Sequence, residues 1–316
     1  MQEFDLILRF FTRPTPGAVL GVGDDAALLR VDTGMELVVT SDMLVSGTHF
    51  FAEADPFLLG HKTLAVNLSD IAAMGAQPRW ATLALSLPEV DENWLEKFSA
   101  GFFSLAQQHG VELVGGDTTR GPLNLCVTLI GQAPQGTALR RSNAQIGDDI
   151  WVSGTLGSAA LALAHLQGRV RLSVEDFAMC AVALHQPAAR VSLGLALRGV
   201  VHSAIDVSDG LLADLGHILE CSGVGAEIRL DALPVPTALL GIPEALMRHC
   251  TLSGGDDYEL CFTAAPAQRA LVENISRQLN LPLTRIGVIV AHRGCIVRDM
   301  QGDIIPIEES GYDHFR

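Results

Sequence analysis

The chain has 316 residues, of which 48% are hydrophobic and 18% are charged. This length exceeds what one hydrophobic core usually supports, and the composition is that of a protein that is globular throughout, so we expect two domains. The formal net charge of −15 argues against a nucleic-acid partner, and no apolar run is long enough to predict a membrane span.

The first half of the chain alternates strand-like and helix-like segments. We predict strands at 36–40, 80–87, 111–114 and 123–130, and helices at 55–75 and 91–109. The first helix starts with Asp55 and Pro56 and stops at Gly75, and the second stops at Gly110, which are typical start and stop residues. The second half resumes with a strand at 149–153 and a helix at 156–166.

Residues 132–147 are rich in Gly, Pro, Ser and Asn and short of large apolar residues, which indicates a domain junction. We therefore predict one domain at 1–139 and a second at 140–316. Both mix helices with strands that can pair antiparallel, so we expect an α+β architecture rather than a doubly wound sheet. The six cysteines include no CxxC pair and the chain starts without a signal segment, which predicts a cytoplasmic location.

Aspartates recur beside glycines and small hydroxyl residues at predicted strand ends and turns. The instances are GDD at 23–25, TSD at 40–42, GGD at 115–117, DVSDG at 206–210 and GGDD at 254–257. Mg²⁺ prefers oxygen ligands and usually takes one or two carboxylates together with phosphate oxygens. Each motif by itself is more often a turn than a metal site. Five of them in one chain favour metal-assisted phosphate chemistry.

Asp70 differs from the other aspartates because it lies inside the predicted helix at 55–75. Thr63, Asn67 and Asp70 are spaced by four and three residues, which places them on one helical face. That face could simply be solvated, but the neighbouring sequence has little charge, so a carboxylate there is expected to have a partner. The chain contains no P-loop, protein-kinase catalytic loop or HExxH motif.

These segments, in this order, resemble the thiamine-monophosphate kinase family. The matching segments span nearly the whole chain and are GVGDDAA (21–27), TSD (40–42), NLSDIAAMGA (67–76), VGGDTTRGP (114–122), LRRS (139–142), VSGTLG (152–157), IDVSDGL (205–211), SGGDDYEL (253–260) and GYDHF (311–315). The resemblance implies a PurM-like fold. In that fold an N-terminal α/β domain pairs with its symmetry mate to build a shared β-barrel, beside a C-terminal α+β domain, so a homodimer is expected.

The resemblance also implies the reaction and its residues. ATP would donate its γ-phosphate directly to thiamine monophosphate, with Mg²⁺ ions between the anionic groups. The implied Mg²⁺ ligands are Asp25, Thr40, Ser41, Asp42, Asp70, Asp117, Asp206 and Asp209, of which Asp42, Asp70, Asp117 and Asp206 are expected to carry the reaction. The implied ATP contacts are Gly116, Asp117, Arg141 and Ser208. His49 is the implied contact to thiamine monophosphate, with Asp257, Glu259 and Tyr312 as weaker candidates.

Several alternatives remain open at this stage. Related enzymes of the same superfamily include selenophosphate synthetase, aminoimidazole ribonucleotide synthetase and a hydrogenase-maturation enzyme. The first usually has a reactive cysteine near its N-terminus, whereas the earliest cysteine here is Cys126, and the last ends in cysteine, whereas this chain ends in Arg316. A non-catalytic Mg-nucleotide-binding regulator and a metal-dependent phosphohydrolase are the two alternatives from other classes.

Overall fold

The computed structural model describes residues 2–307, 311 and 312. The chain divides into two compact units, the first comprising Met1–Ile71 with Ala76–Gly136 and the second comprising Ala72–Gly75 with Thr137–Arg316. The division after Gly136 lies within the glycine- and proline-rich segment at 132–147. The boundary between residues 139 and 140 stays a prediction.

The first unit is built around a four-stranded sheet. Its elements are α1 (Glu3–Leu6, continued by a π-helical turn at Ile7–Phe11), β1 (Met35–Val45), α2 (Pro56–Ala73), β2 (Gln77–Leu87), α3 (Glu92–His109), β3 (Glu112–Arg120) and β4 (Asn124–Pro134). The strand order is β1-β4-β2-β3, in which β4 pairs antiparallel with β1 and with β2, and β2 pairs parallel with β3. The sheet is open in the described residues, with β1 and β3 at its edges.

Local sequence signals account for the two ends of helix α3. The Asp91 side chain accepts hydrogen bonds from the N–H groups of Asn93 and Trp94, and Gly110 adopts the left-handed conformation at φ 66° that ends α3. The predicted helix at 91–109 is therefore confirmed to within one residue. Helix α2 is buried on nearly all sides, so its face with Thr63 and Asn67 is not the solvated face considered above.

The strands extend further than the sequence predicted. Strand β1 continues past residue 40 because it pairs with β4 along its full length, from Met35 opposite Pro134 to Val45 opposite Asn124. The placement of TSD (40–42) at a strand end was therefore wrong, since these residues lie inside β1. GGD (115–117) likewise lies inside β3, which pairs with β2 from Glu112 to Arg120.

The two faces of this sheet differ. Helix α2 packs on one face, where a Cβ on Gly131 of β4 would lie 3.3 Å from the Ile71 side chain. On the opposite face of β1, Leu37, Val39 and Met43 are all exposed, Val39 by 60% of its surface. A row of exposed apolar side chains on a sheet usually marks a surface that binds another protein.

The second unit is built around a seven-stranded mixed sheet. Its elements are β5 (Asp149–Ser153), α4 (Ser158–Leu166), α5 (Val174–His185), α6 (Val191–Leu197), β6 (Ser203–Val207), α7 (Leu211–Ser222), β7 (Gly225–Arg229), α8 (Glu244–Arg248, continued by a π-helical turn at His249–Ser253), β8 (Glu259–Ala264), α9 (Arg269–Leu279), β9 (Leu283–Val290), β10 (Gly294–Arg298) and β11 (Ile304–Ile305). Three short 3-10 turns lie at Leu230–Ala232, Thr237–Leu239 and Pro266–Gln268.

The strand order of this sheet is β11-β10-β7-β9-β5-β8-β6. Within the described residues only the β7–β10 pair is parallel. Leu211, Leu215 and Ile218 of α7 share a buried apolar core with strand residues such as Ile150 and Val152. The predicted mixture of helices with antiparallel strands is confirmed. Among the residues that the structure describes, every helix is too short or too polar to cross a membrane.

Candidate functional site

Strand β1 and helix α2 of the first unit bring four of the motif residues together. The Thr40 hydroxyl donates a hydrogen bond to Asp70 Oδ2, and the Asp42 backbone N–H donates one of 3.1 Å to Asn67 Oδ1. Asn67 is fully buried, and its Nδ2 also donates to the Thr63 carbonyl one turn earlier in α2. We call Thr40, Asp42, Asn67 and Asp70 the β1–α2 cluster. It contains two carboxylates, one of which, that of Asp70, accepts a hydrogen bond from the neutral Thr40 hydroxyl.

Ser41 lies on the opposite face of β1 from this cluster, because side chains alternate along a strand. Its hydroxyl donates to the Val127 carbonyl at 3.2 Å and lies 3.0 Å from the Thr128 hydroxyl oxygen on β4. The Ser41 side chain therefore does not join Thr40 and Asp42 on the α2 side of the sheet.

Asp25, Asp117 and Gly116 are predicted residues of the first unit outside the β1–α2 cluster. Asp25 is exposed in a loop where its own N–H donates to Asp24 Oδ1 at 2.9 Å. Asp117 is exposed on β3, at the opposite edge of the sheet from β1, so three strand spacings of about 4.8 Å separate the two strands. Gly116 lets β3 approach β2 closely, since a Cβ there would lie 1.9 Å from the Leu83 carbonyl oxygen.

His49 lies in the tight turn that follows β1. Its Nδ1 accepts a 3.0 Å hydrogen bond from the Val45 N–H, and its own N–H donates to the Val45 carbonyl. Because Nδ1 is an acceptor, the neutral ring carries its proton on Nε2. The turn therefore fixes both the orientation and the tautomer of the imidazole.

In the second unit, the loop after β6 carries the DVSDG motif. Asp206 is buried at the end of β6, while Ser208 and Asp209 are partly exposed. The N–H groups of Ser208, Asp209 and Gly210 donate to Asp214 Oδ2 at 3.0, 3.0 and 3.2 Å. Burial, followed by the charges of Asp206 and Asp209, raises the pKa of Asp214 to about 8. The negative charges of Asp206 and Asp209 are thus close enough to Asp214 to affect its ionisation.

The GGDDYEL segment packs against this loop. The N–H of Asp256 donates to the Ser208 carbonyl at 2.8 Å, and the N–H of Tyr258 donates to the Val207 carbonyl at the same distance. Asp256 and Tyr258 both have positive φ, 69° and 51°, and the Tyr258 hydroxyl donates to Asp256 Oδ1 at 3.0 Å. Left-handed backbone at a tyrosine is strained, and such strain is concentrated at functional loops.

Asp257 and Glu259, two of the weaker substrate candidates, are buried and contact protein groups. The Gly157 N–H lies 2.9 Å from both Asp257 carboxylate oxygens, immediately before α4. Burial raises the pKa of Asp257 well above its usual range. Glu259 accepts two hydrogen bonds from the Arg190 guanidinium, one of them 2.7 Å long, and a third from the Ser153 hydroxyl. These contacts give both carboxyl groups fixed positions.

Tyr312 is the last residue with a described position. Its N–H donates to the Asp209 carbonyl at 3.0 Å, and its side chain is about half exposed. The remaining residues of the predicted GYDHF motif, Asp313, His314 and Phe315, lie outside the described residues. Arg141 is exposed, and its guanidinium has no ion-pair or hydrogen-bond partner among residues 2–307, 311 and 312.

The described part of the chain contains no group of three or more His, Cys, Asp or Glu side chains that already converge on one metal position. Carboxylate and hydroxyl oxygens nevertheless match what Mg²⁺ binds, and this ion usually completes its coordination with phosphate oxygens and water. The donor set therefore fits Mg²⁺ that arrives with a polyphosphate better than it fits a permanently bound structural ion.

Three residues that hold the site residues in place, Asn67, Asp214 and Arg190, were not themselves predicted as site residues. Asn67 was recognised only as part of a helical face, and the partners of Asp214 and Arg190 are set by the tertiary fold. Asp214 did leave one signal in the sequence. Gly210 precedes α7 and has no side chain to cap it, so a carboxylate in the first turn of that helix is a candidate to receive the free N–H groups.

The two units correspond to two domains of one class of protein. Residues 23–133 match the family AIR synthase related protein, N-terminal domain, and residues 145–299 match AIR synthase related protein, C-terminal domain. A hydrogenase maturation protein, E. coli HypE, has the same fold at a TM-score of 0.79 but only 22% identity, covering 98% of this chain and 97% of that chain. This likeness shows the fold alone.

More similar proteins identify the family within this class. The chain is 45% identical to thiamine-monophosphate kinase of Salmonella typhimurium over 318 residues, covering 99% of this chain and 98% of the relative. It is 52% identical to the crystal structure of thiamine-monophosphate kinase from Stenotrophomonas maltophilia, with a TM-score of 0.86 and 96% of each chain covered. A structure described as AaThiL complexed with AMPPCP and TMP is 28% identical, with a TM-score of 0.79, covering 99% of this chain and 96% of that chain. The chain belongs to the thiamine-monophosphate kinase family.

Proposed function

We propose that this protein transfers the γ-phosphate of ATP to the phosphate of thiamine monophosphate and so forms thiamine diphosphate, the last step of thiamine diphosphate biosynthesis. The observation that carries this proposal is the full-length likeness to a relative that binds AMPPCP, an ATP analogue, together with TMP. The 45% identity to a curated thiamine-monophosphate kinase supports the same acceptor.

The proposed reaction is a direct in-line transfer that needs no protein nucleophile. Phosphoryl transfer depends mainly on positioning and on neutralising phosphate charge. Both substrates are anionic and the protein itself carries a net charge of −15, so cations must offset the repulsion. When bound, Mg²⁺ would supply this positive charge, and the carboxylates of the β1–α2 cluster would help to hold the ion. The donor chemistry of the β1–α2 cluster supports this role.

We assign the residues as follows within this proposal. The Mg²⁺ ligands are Asp25, Thr40, Ser41, Asp42, Asp70, Asp117, Asp206 and Asp209, and the side-chain position of Ser41 favours its backbone carbonyl as the ligand. Gly116, Asp117, Arg141 and Ser208 contact ATP, for which the exposed Arg141 guanidinium is a suitable phosphate ligand. His49 contacts thiamine monophosphate. Glu259 and Asp257 act from fixed positions on the substrate side, and Tyr312 offers an exposed aromatic ring to the same substrate.

We also propose that the protein is a homodimer in which two copies of the four-stranded sheet form a shared β-barrel. The exposed apolar row of Leu37, Val39 and Met43 on β1 supports this arrangement, because a second copy would remove it from water. The proposed location is the cytoplasm. All six cysteines are free thiols in the structure, which fits a reducing compartment.

The first experiment is an assay of the purified protein with ATP, Mg²⁺ and thiamine monophosphate, in which thiamine diphosphate is quantified by chromatography. Parallel reactions omit Mg²⁺ or replace the acceptor with free thiamine. We expect thiamine diphosphate only from the monophosphate and only with Mg²⁺. Consumption of ATP without this product would refute the acceptor and favour a related enzyme or a phosphohydrolase. Nucleotide binding without any turnover would instead favour a regulator.

A further inference from the structure

In the loop between β6 and α7, the backbone N–H groups donate hydrogen bonds to a side chain of the protein itself. Three consecutive N–H groups, from Ser208, Asp209 and Gly210, converge on a single oxygen of Asp214, at 3.0, 3.0 and 3.2 Å. Asp214 is only 3% exposed, and it lies in the first turn of α7. Consecutive N–H groups that converge in this way form an anion-binding concavity, which many proteins use to hold a phosphate.

Here the concavity is filled by the protein's own carboxyl group. Gly210 is the residue before α7, has φ 116° and offers no capping side chain. A Cβ at Gly210 would lie 2.7 Å from the Ser253 backbone, so a capping residue such as serine cannot replace it. Asp214 satisfies the N–H groups instead. The loop can therefore contact a ligand through the Ser208 and Asp209 side chains, but not through these three N–H groups.

The carbonyl groups of the same loop hold two other segments. The Ser208 carbonyl accepts the N–H of Asp256, and the Asp209 carbonyl accepts the N–H of Tyr312 at 3.0 Å. A Cβ on Gly255 would lie 2.4 Å from the Ser208 carbonyl oxygen, so the GGDDYEL segment packs directly on the loop backbone. A shift of residues 208–210 would therefore displace both neighbouring segments as well.

We propose that Asp214 is a positioning residue that fixes the 208–210 loop so that Asp209 and Ser208 accept a metal–nucleotide complex and not a free nucleotide. This inference rests on the proposed function, because it takes Asp209 as a Mg²⁺ ligand and Ser208 as a nucleotide contact. The loop's N–H groups are already occupied, so they cannot offset the charge of a phosphate, and Asp209 would instead hold a cation that does so while the Ser208 hydroxyl contacts the nucleotide.

The experiment compares three variants with the wild-type protein. Asp214→Ala removes the acceptor, and Asp214→Asn retains one carbonyl oxygen of similar position. Asp148→Ala is the matched control, because Asp148 is also a buried aspartate, 2% exposed, whose Oδ2 accepts a backbone N–H, that of Gln145, at 2.8 Å in a different turn. If Asp214→Ala does not fold, Asp214→Val, which fills more of the space of the side chain but has no acceptor, takes its place with the same expectations.

The first measurement is hydrogen exchange of the ligand-free proteins. Amides 208–210 should exchange about tenfold faster or more in Asp214→Ala, stay near the wild-type rate in Asp214→Asn and be unchanged in Asp148→Ala. This measurement does not depend on the proposed reaction. Wild-type exchange at residues 208–210 in Asp214→Ala would overturn the positioning role.

The second measurement is the Mg²⁺ concentration that gives half of the thermal stabilisation by AMPPCP. It should rise about tenfold in Asp214→Ala and recover in Asp214→Asn, as is usual when a group that orients a metal ligand is removed and restored. A merely structural role would lower stability at every Mg²⁺ concentration without moving this midpoint, and that result would refute the proposal. Stabilisation of the wild-type protein by AMPPCP without Mg²⁺ would also contradict it. Wild-type protein that AMPPCP does not stabilise at all would instead refute the proposed function.

Discussion

The backbone N–H of Asp42 donates a 3.1 Å hydrogen bond to Oδ1 of Asn67, which joins the edge strand β1 to the buried helix α2. Asn67 is fully buried and its Nδ2 is held by the Thr63 carbonyl, so its amide group has a fixed orientation. The position of the Asp42 carboxylate therefore depends on a side chain that need not contact substrate. Two tests of the β1–α2 cluster follow from this relationship.

We expect Asn67→Ala to lower both stability and activity. Removal of the amide leaves the Asp42 N–H without its acceptor, which should cost about 2 kcal/mol of unfolding free energy. The loosened Asp42 should lower kcat by about tenfold. Thr63→Val is the control, because Thr63 is equally buried but its hydroxyl donates only to the Leu59 carbonyl of the same helix. Urea denaturation and steady-state assays provide the measurements, and equal kcat values for the two variants would show that Asn67 does not position Asp42.

Replacement of the carboxylates themselves should have a larger effect on turnover. Asp42→Asn and Asp70→Asn keep the side-chain size but remove the charge that we propose binds Mg²⁺, so kcat should fall by about a hundredfold or more. Circular dichroism should show that both variants remain folded. Asp5→Asn, at an exposed position in α1, is the control and should retain wild-type kcat. Near-normal turnover of either cluster variant would remove that residue from the proposed ligand set.

Helix α3 and strand β1 show how much of the fold could be predicted from the sequence. Helix α3 was predicted to within one residue because its caps, Asp91 and Gly110, are local signals. Strand β1 was predicted to end five residues too early, because its end depends on pairing with β4, about ninety positions away in the chain. Pairing partners that are distant in sequence leave no local pattern.

The residues of the candidate site were likewise predictable only in part. The aspartates were identifiable because their motifs resemble those of a family, but the groups that hold them were not. Arg190 contacts Glu259 across 69 residues, and nothing near either residue indicates the other. Asp214 was closer to being predictable, since its N–H donors precede it by only four to six positions. Its role could not be predicted without the backbone conformation of residues 208–210.

Arg190 and Glu259 provide a test of stability. Glu259 is buried and accepts a bidentate pair of hydrogen bonds from Arg190, so Arg190→Met leaves the carboxylate buried without its cation. This should lower the free energy of unfolding by about 3 kcal/mol. The double variant Arg190→Met/Glu259→Gln should be more stable than Arg190→Met, because the unpaired charge is gone. Urea denaturation of the two single variants and the double variant tests this. If the losses of unfolding free energy in Arg190→Met and Glu259→Gln add up to the loss in the double variant, the two side chains are not coupled.

Asp149 should make stability depend on pH in the acidic range. Its burial by itself acts to raise the pKa of this carboxyl group, but the hydrogen bonds and charges of Arg269 and Arg285 lower it below its usual 3.8. A lowered pKa in the folded state gives stability that is fully present above about pH 4 and is lost as the pH falls through the folded value. Asp149→Asn should therefore cost about 2 kcal/mol at pH 7 and less at pH 3.

Urea denaturation of Asp149→Asn and wild-type protein between pH 7 and pH 3 measures this difference. Glu227→Gln serves as the control, because Glu227 also accepts hydrogen bonds from an arginine, Arg298, but is much less buried than Asp149. Replacement of Glu227 should leave the urea concentration at the midpoint of unfolding nearly unchanged at neutral pH. A constant difference between Asp149→Asn and wild type at every pH would contradict the role of the Asp149 charge.

The exposed row on β1 should control the oligomeric state. Val39→Glu places a charge in the centre of the apolar surface that we propose a second copy covers, and a buried unpaired charge strongly opposes association. Light scattering after gel filtration should give twice the chain mass for the wild type and the single-chain mass for Val39→Glu. Val174→Glu is the control, because Val174 is 86% exposed on α5 of the other unit and should not change the mass. A wild-type protein that is already a single chain, or a Val39→Glu variant that stays dimeric, would refute the proposed interface.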